Sequence, residues 1–340
     1  LTGSGTAGIQ PLIFTGNAEF IPSTGTVAYT GTSATEITST VYYGLSLTPS
    51  IATAATYTLG TAGTQTMRTN GTFLMDNQAA GTLTVTAATY NPTLDVRGDL
   101  TIGDGTAYTK GSGTTTFNGG NAQTLTDNTV APGPDLGACV VAANGTNTTL
   151  NLGGKAAMST LTVNASQVFN ANGANALTLT GSGTPLVVNG TFTQSTGTVN
   201  YIGQGATTVT SLTYYHLGVG TISDATAGRT YTLGGNTTVQ GVMTVGNASS
   251  TNNDTLAMSN RTLIFTGSGT PFVLTSKSLL SPGTSTVRYT GTSNTNVAVG
   301  RNWTGFFYLE LLPSAGNPTY TVMAGGELTL GYLTIGNGTD

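Results

Sequence analysis

Apolar residues alternate with threonine or asparagine in short runs along the chain, as in Thr82-Leu83-Thr84-Val85-Thr86, Thr149-Leu150-Asn151-Leu152 and Leu161-Thr162-Val163. A period of two places successive side chains on opposite faces of an extended backbone, so each run reads as a short, half-buried strand. Threonine and aromatic side chains suit a pleated surface. Gly, Asn and Ser interrupt the runs and supply corners. No stretch carries apolar residues at helical spacing, so the pattern predicts almost no helix.

The runs belong to a longer period. Gly25-Thr26-Val27-Ala28-Tyr29-Thr30-Gly31 returns as Gly113-Thr114-Thr115-Thr116-Phe117-Asn118-Gly119, then as Gly197-Thr198-Val199-Asn200-Tyr201-Ile202-Gly203 and Ser285-Thr286-Val287-Arg288-Tyr289-Thr290-Gly291. The aromatics at 29, 117, 201 and 289 are 88, 84 and 88 residues apart. Downstream, Tyr42-Tyr43-Gly44-Leu45 matches Tyr214-Tyr215-His216-Leu217 and Phe306-Phe307-Tyr308-Leu309. Gly98-Asp99-Leu100-Thr101-Ile102-Gly103 aligns with Gly241-Val242-Met243-Thr244-Val245-Gly246 and Gly331-Tyr332-Leu333-Thr334-Ile335-Gly336. A fixed period along a whole chain marks a repeat architecture. The pattern predicts one continuous body over 1–340, with units of approximately 1–90, 91–176, 177–262 and 263–340, the last incomplete.

Two all-β architectures fit: a parallel β-solenoid (β-helix) of four repeats of about 86 residues, or four tandem β-sandwich domains. Short, evenly spaced strands, the lack of a recurring linker and the single tryptophan favour the solenoid. Roughly four coils per unit at about 4.8 Å each would give a body about 75 Å long.

Composition narrows the function. Only 6% of residues are charged and the net charge is −4, so the basic footprint of a nucleic-acid binder is missing. No run of 18 apolar residues suggests a membrane span, and no charged-then-apolar leader opens the chain. One cysteine, Cys139, allows no intrachain disulfide. Leu1-Thr2-Gly3-Ser4-Gly5-Thr6 opens inside the motif that recurs at Leu179 and Phe265, and the chain closes just after a Gly-Asn that recurs at Gly246. The expectation is an excerpt of a longer array, or a polymerising subunit with no cap at either end.

Strings such as Gly197-Thr198-Val199-Asn200-Tyr201, Tyr231-Thr232-Leu233-Gly234-Gly235-Asn236 and Gly331-Tyr332-Leu333-Thr334-Ile335-Gly336 resemble the repeats of large bacterial surface and secreted β-helix proteins, the filamentous-haemagglutinin-like adhesins and exoproteins. The resemblance implies a right-handed parallel β-helix, secretion, and a role in surface structures or adhesion.

Few residues invite chemistry. Asp95, Asp99 and Asp104, with Arg97 among them, form the one acidic cluster. Carboxylates so spaced suit Ca²⁺ or an acid–base pair, although the spacing fits no EF-hand loop. His216 has Gly44 and Tyr308 as its sisters, so the position does not demand an imidazole. Cys139 reads as a small buried hydrophobe. Trp303, with Arg301 and Asn302, sits in an insertion and is the candidate contact for a partner or glycan. The Thr-x-Thr pairs raise an ice-binding reading, but they do not recur along the sequence at one coil length. No catalytic, cofactor or firm metal site emerges. The expected function is a non-enzymatic extracellular filament component whose partner is itself, head to tail, or neighbouring repeats of a longer chain. The alternative is an adhesin or glycan-binding stalk.

Overall fold

The computed structural model describes residues 10–15, 18–63, 65–222, 228–299, 305–323 and 328–336. They contain no helix and form a parallel β-solenoid of about 12 turns. The paired strands run parallel, which excludes the tandem-sandwich alternative, because sandwiches are built from antiparallel sheets. Two compact units divide the chain: 1–175 with 187–193, and 176–186 with 194–340.

In the first unit, Thr26–Tyr29 pairs with Gly44–Leu47, which pairs with Phe73–Met75 and then Leu100–Ile102. A second sheet stacks Thr35–Ile37, Ala54–Leu59, Thr82–Thr86 and Thr106–Thr109. A third runs from Val41–Tyr42 through Thr66–Thr69, Thr93–Val96, Thr115–Phe117 and Ala138–Val141 to Thr160–Val163. Inward positions align into columns such as Leu45, Phe73, Leu100 and Leu125, all buried. Fully burying each such side chain is worth about 1.5–3 kcal/mol. The second unit repeats the plan, with Ala176–Leu179, Thr198–Tyr201, His216–Val219, Met243–Val245 and Phe272–Leu274 stacked in one sheet.

The repeat is not a whole number of coils. Tyr29 registers with Leu47, then Met75, Ile102 and Asp127, so Phe117 falls between the third and fourth coil steps. The motif aromatics of one unit therefore lie on different sheets: Tyr29 on the first and Phe117 on the third. Tyr201 and Tyr289 in the second unit are separated in the same way. The expected four coils per repeat is too many, because a coil here takes up to 28 residues, as between Leu47 and Met75.

One alignment from the sequence also shifts. The Gly71 N–H donates to the Tyr43 carbonyl at 2.6 Å, as the Gly241 N–H does to Tyr215 at 2.7 Å. The structural sister of the Gly241 block is thus Gly71–Asp76, and Gly98–Gly103 lies one coil further on. Gly98 stacks so closely on Gly71 that a Cβ on it would stand 2.3 Å from the Gly71 carbonyl carbon. Gly98 and Gly241 share a motif in sequence, and each sits close to the coil beneath: a Cβ on Gly241 would stand 2.7 Å from His216 Cε1.

Described residues that precede the first strand pack on the first coil. Thr38 Oγ1 donates to the Leu12 carbonyl, and the Phe20 ring lies 6.1 Å from Tyr42. In the second unit, Thr210 Oγ1 donates to the Leu186 carbonyl at 2.5 Å, so Leu12 takes the place that a preceding coil occupies there. In the second unit, Leu330–Ile335 pairs with Phe306–Leu311 in parallel register, with Leu333 and Ile335 48% and 68% exposed.

Candidate functional sites

The three acids of the predicted cluster do not converge. Asp95, on the third sheet, is buried between Arg68, whose Nε donates to Oδ2 at 2.5 Å, and Arg97, whose Nη2 donates at 3.2 Å. Asp99 precedes a strand of the first sheet and accepts the Thr124 N–H at 2.7 Å. Asp104 lines a shallow groove of about 400 Å³ with Asp76 and Asn128, opened where Gly103 leaves a gap in the outward row. Among the described residues no group of three His, Cys, Asp or Glu side chains is placed to hold a metal ion. A carboxylate already neutralised by two guanidinium groups has little to offer a cation.

Charge instead ties adjacent coils together. Arg68 pairs with Asp95, Lys110 with Asp135, Lys155 with Asp127, Arg229 with Asp254 and Arg288 with Glu310. The partners are separated by 22 to 28 residues, one coil length. The signal lay in the sequence as opposite charges at that spacing, and the sequence reading missed it. Among the described residues the most buried pair is Arg229–Asp254, with side chains 2% and 3% exposed. Arg229 donates through Nε at 2.9 Å and Nη2 at 2.8 Å, and its own backbone N–H reaches the same carboxylate at 3.1 Å.

Ser159 comes nearest to a nucleophile. Lys110 Nζ donates to its hydroxyl at 2.6 Å, and the hydroxyl points to Asp135 at 3.3 Å. The Asp135 carboxylate also pairs with Lys110, and a lysine ammonium is a donor only, with no lone pair to take the serine proton. Cys139 is buried on the neighbouring strand. Burial, reinforced by Asp135, pushes its thiol well above the usual range, so no thiolate forms at neutral pH.

His216 Nδ1 accepts the Val242 N–H at 2.9 Å, which puts the ring proton of the neutral form on Nε2. Its ring meets Tyr215 edge-on at 4.7 Å. It borders a groove of about 360 Å³ with Asn200 and Thr244, again where a glycine, Gly218, interrupts the outward row. Gly44, His216 and Tyr308 register with Thr26, Thr198 and Thr286, one structural position with three different side chains. Imidazole chemistry is therefore not built into the repeat.

The repeated aromatics form buried corners. The Tyr29 and Tyr42 hydroxyls meet at 3.0 Å and Tyr42 donates to the Thr38 carbonyl at 2.7 Å; Tyr201, Tyr214 and Thr210 repeat this at 2.8 and 2.7 Å. Burial pushes these phenols up. Trp303, Arg301 and Asn302 lie outside the described residues. Just beyond them, Tyr308 and Tyr332 stack at 4.8 Å with Phe307 beside them, and Tyr332 is 58% exposed. No helix among the described residues is long and apolar enough to cross a membrane. No protein-family model, curated protein or solved structure matches the chain.

Proposed function

We propose that this chain is a non-enzymatic, extracellular structural protein, a segment or subunit of a surface filament extended by coil-on-coil β stacking. The observation that carries the reading is the parallel ladder itself: Thr286–Tyr289, Phe306–Leu311 and Leu330–Ile335 stack coil on coil in one register, and a ladder of this kind is a template for a further coil. The partner is a further coil of the same kind, from neighbouring repeats or from a second copy. The likeness to filamentous-haemagglutinin-like repeats points the same way.

Electron microscopy of native material, paired with denaturing mass analysis, tests this. Filaments that dissolve into chains of 34.2 kDa, or that are built from longer chains carrying this segment, support it. Ile335→Lys and Leu333→Lys should block extension between separate chains. Uniform short particles at every concentration, unchanged by these substitutions, would refute it.

The exposed Tyr308–Tyr332 stack favours a second reading, a glycan-binding stalk, since flat aromatic faces take sugar rings. Glycan-array binding that survives Tyr332→Ala and Trp303→Ala would count against it.

A further inference from the structure

The Thr-x-Thr pairs do meet at coil spacing once the chain is folded. Thr56 registers with Thr84 and Thr84 with Ala107, while Thr58 registers with Thr86 and Thr86 with Thr109. Thr82 stands beside Ala54 in a third column. The intervening Tyr57, Val85 and Tyr108 point inward and are buried, so the threonines share the outward face. Their spacing is set by the backbone: about 4.8 Å between coils and about 6.6 Å between alternate residues of a strand. Threonine on a strand has restricted χ1 freedom, which holds hydroxyls and methyls in a regular array.

Two further observations point outward. No hydrogen bond among the described residues engages the hydroxyls of Thr56, Thr58, Thr84 or Thr109, leaving them to water. The threonines themselves carry no charge; the one charge in their columns is Glu36, beside Thr58 on the first strand, whose carboxylate accepts the Tyr90 hydroxyl at 3.0 Å. Lys110, just after Thr109, is turned to Asp135 and Ser159. A rigid, uncharged array of hydroxyls and methyls matches a rigid, uncharged array of water, whose hydrogen bonds to protein groups are nearly as good as direct ones.

We infer that the face formed by Thr56, Thr58, Thr84, Thr86 and Thr109 binds the surface of ice. The inference is independent of filament formation and rests on one sheet of the first unit. The test is slow growth of ice in a dilute solution of the full chain, with the fraction trapped in the ice measured on a denaturing gel. The chain should enter the ice, and Thr56→Lys/Thr84→Lys should be excluded to the level of a non-binding globular protein while keeping the parent's circular dichroism. Thr232→Lys, on an outward row of the second unit, should enter as the parent does. Exclusion of the parent chain would overturn the proposal. So would equal loss with Thr232→Lys, or retention on crystalline cellulose or chitin without entry into ice.

Discussion

Removing the Asp254 carboxylate should open one coil of the second unit. Asp254 accepts three hydrogen bonds from Arg229, two from the guanidinium and one from the backbone, and both side chains are almost wholly buried. The carboxylate fits only because Gly220 has no side chain; a Cβ there would lie 2.3 Å from Oδ2. Deleting one member of a buried pair leaves the other charge uncompensated, at a cost of about 3–5 kcal/mol. At 1.36 kcal/mol per decade, that raises the local opening constant by about 10²- to 10⁴-fold. In a stacked-coil protein the loss falls on neighbouring coils rather than on the whole chain. Native-state hydrogen exchange should therefore show Asp254→Ala accelerating amides in Thr230–Leu233 and Asp254–Ala257, with distant strands of the first unit unchanged. The double replacement Arg229→Met/Asp254→Leu removes both charges and should recover most of the protection. Acceleration of less than tenfold in the single variant, or a double variant no better than the single, would refute the argument.

The buried phenols set an alkaline limit. Tyr57 is pushed up to about 12 by burial, against about 10 in an unfolded chain, and Tyr42 and Tyr289 are raised as well. Above about pH 10 the unfolded chain releases protons that the folded one keeps, so stability should be full below that pH and fall as pH rises toward 12. Absorbance at 295 nm should show tyrosinate appearing together with loss of the β-sheet circular dichroism. Tyr42→Phe removes hydroxyl bonds to Tyr29 and Thr38 and should destabilise the first coil by about 1–3 kcal/mol, measured by denaturant unfolding. Gly98→Ala forces a methyl onto the Gly71 backbone and should cost about 1–3 kcal/mol, whereas alanine at the open position Gly25 should not clash. Cys139 should resist Ellman's reagent in the native protein and react fully in guanidinium.

The sequence by itself determined the class of structure. Alternation of apolar residues with threonine or asparagine fixes which side chains face in, and columns such as Leu45–Phe73–Leu100 follow that alternation. The Tyr29 and Tyr201 strings, with Tyr42 and Tyr214 thirteen residues on, recur visibly in the sequence, and folding makes each pair a buried hydroxyl contact. Only the tertiary structure decided who meets whom. In a parallel solenoid a residue's neighbour lies one coil away, and coil length varies with the corners: Tyr29 registers 18 residues ahead with Leu47, and Leu47 registers 28 ahead with Met75. A period read along the chain averages over these lengths. It therefore aligned Gly98 one coil out of place, scattered the threonines that stack at Thr56 and Thr84, and kept Asp95 beside Asp99 and Asp104 when folding gives it to Arg68. Alternation is a local property of the backbone and survives unequal corners, whereas contact between coils depends on the length of every corner between them.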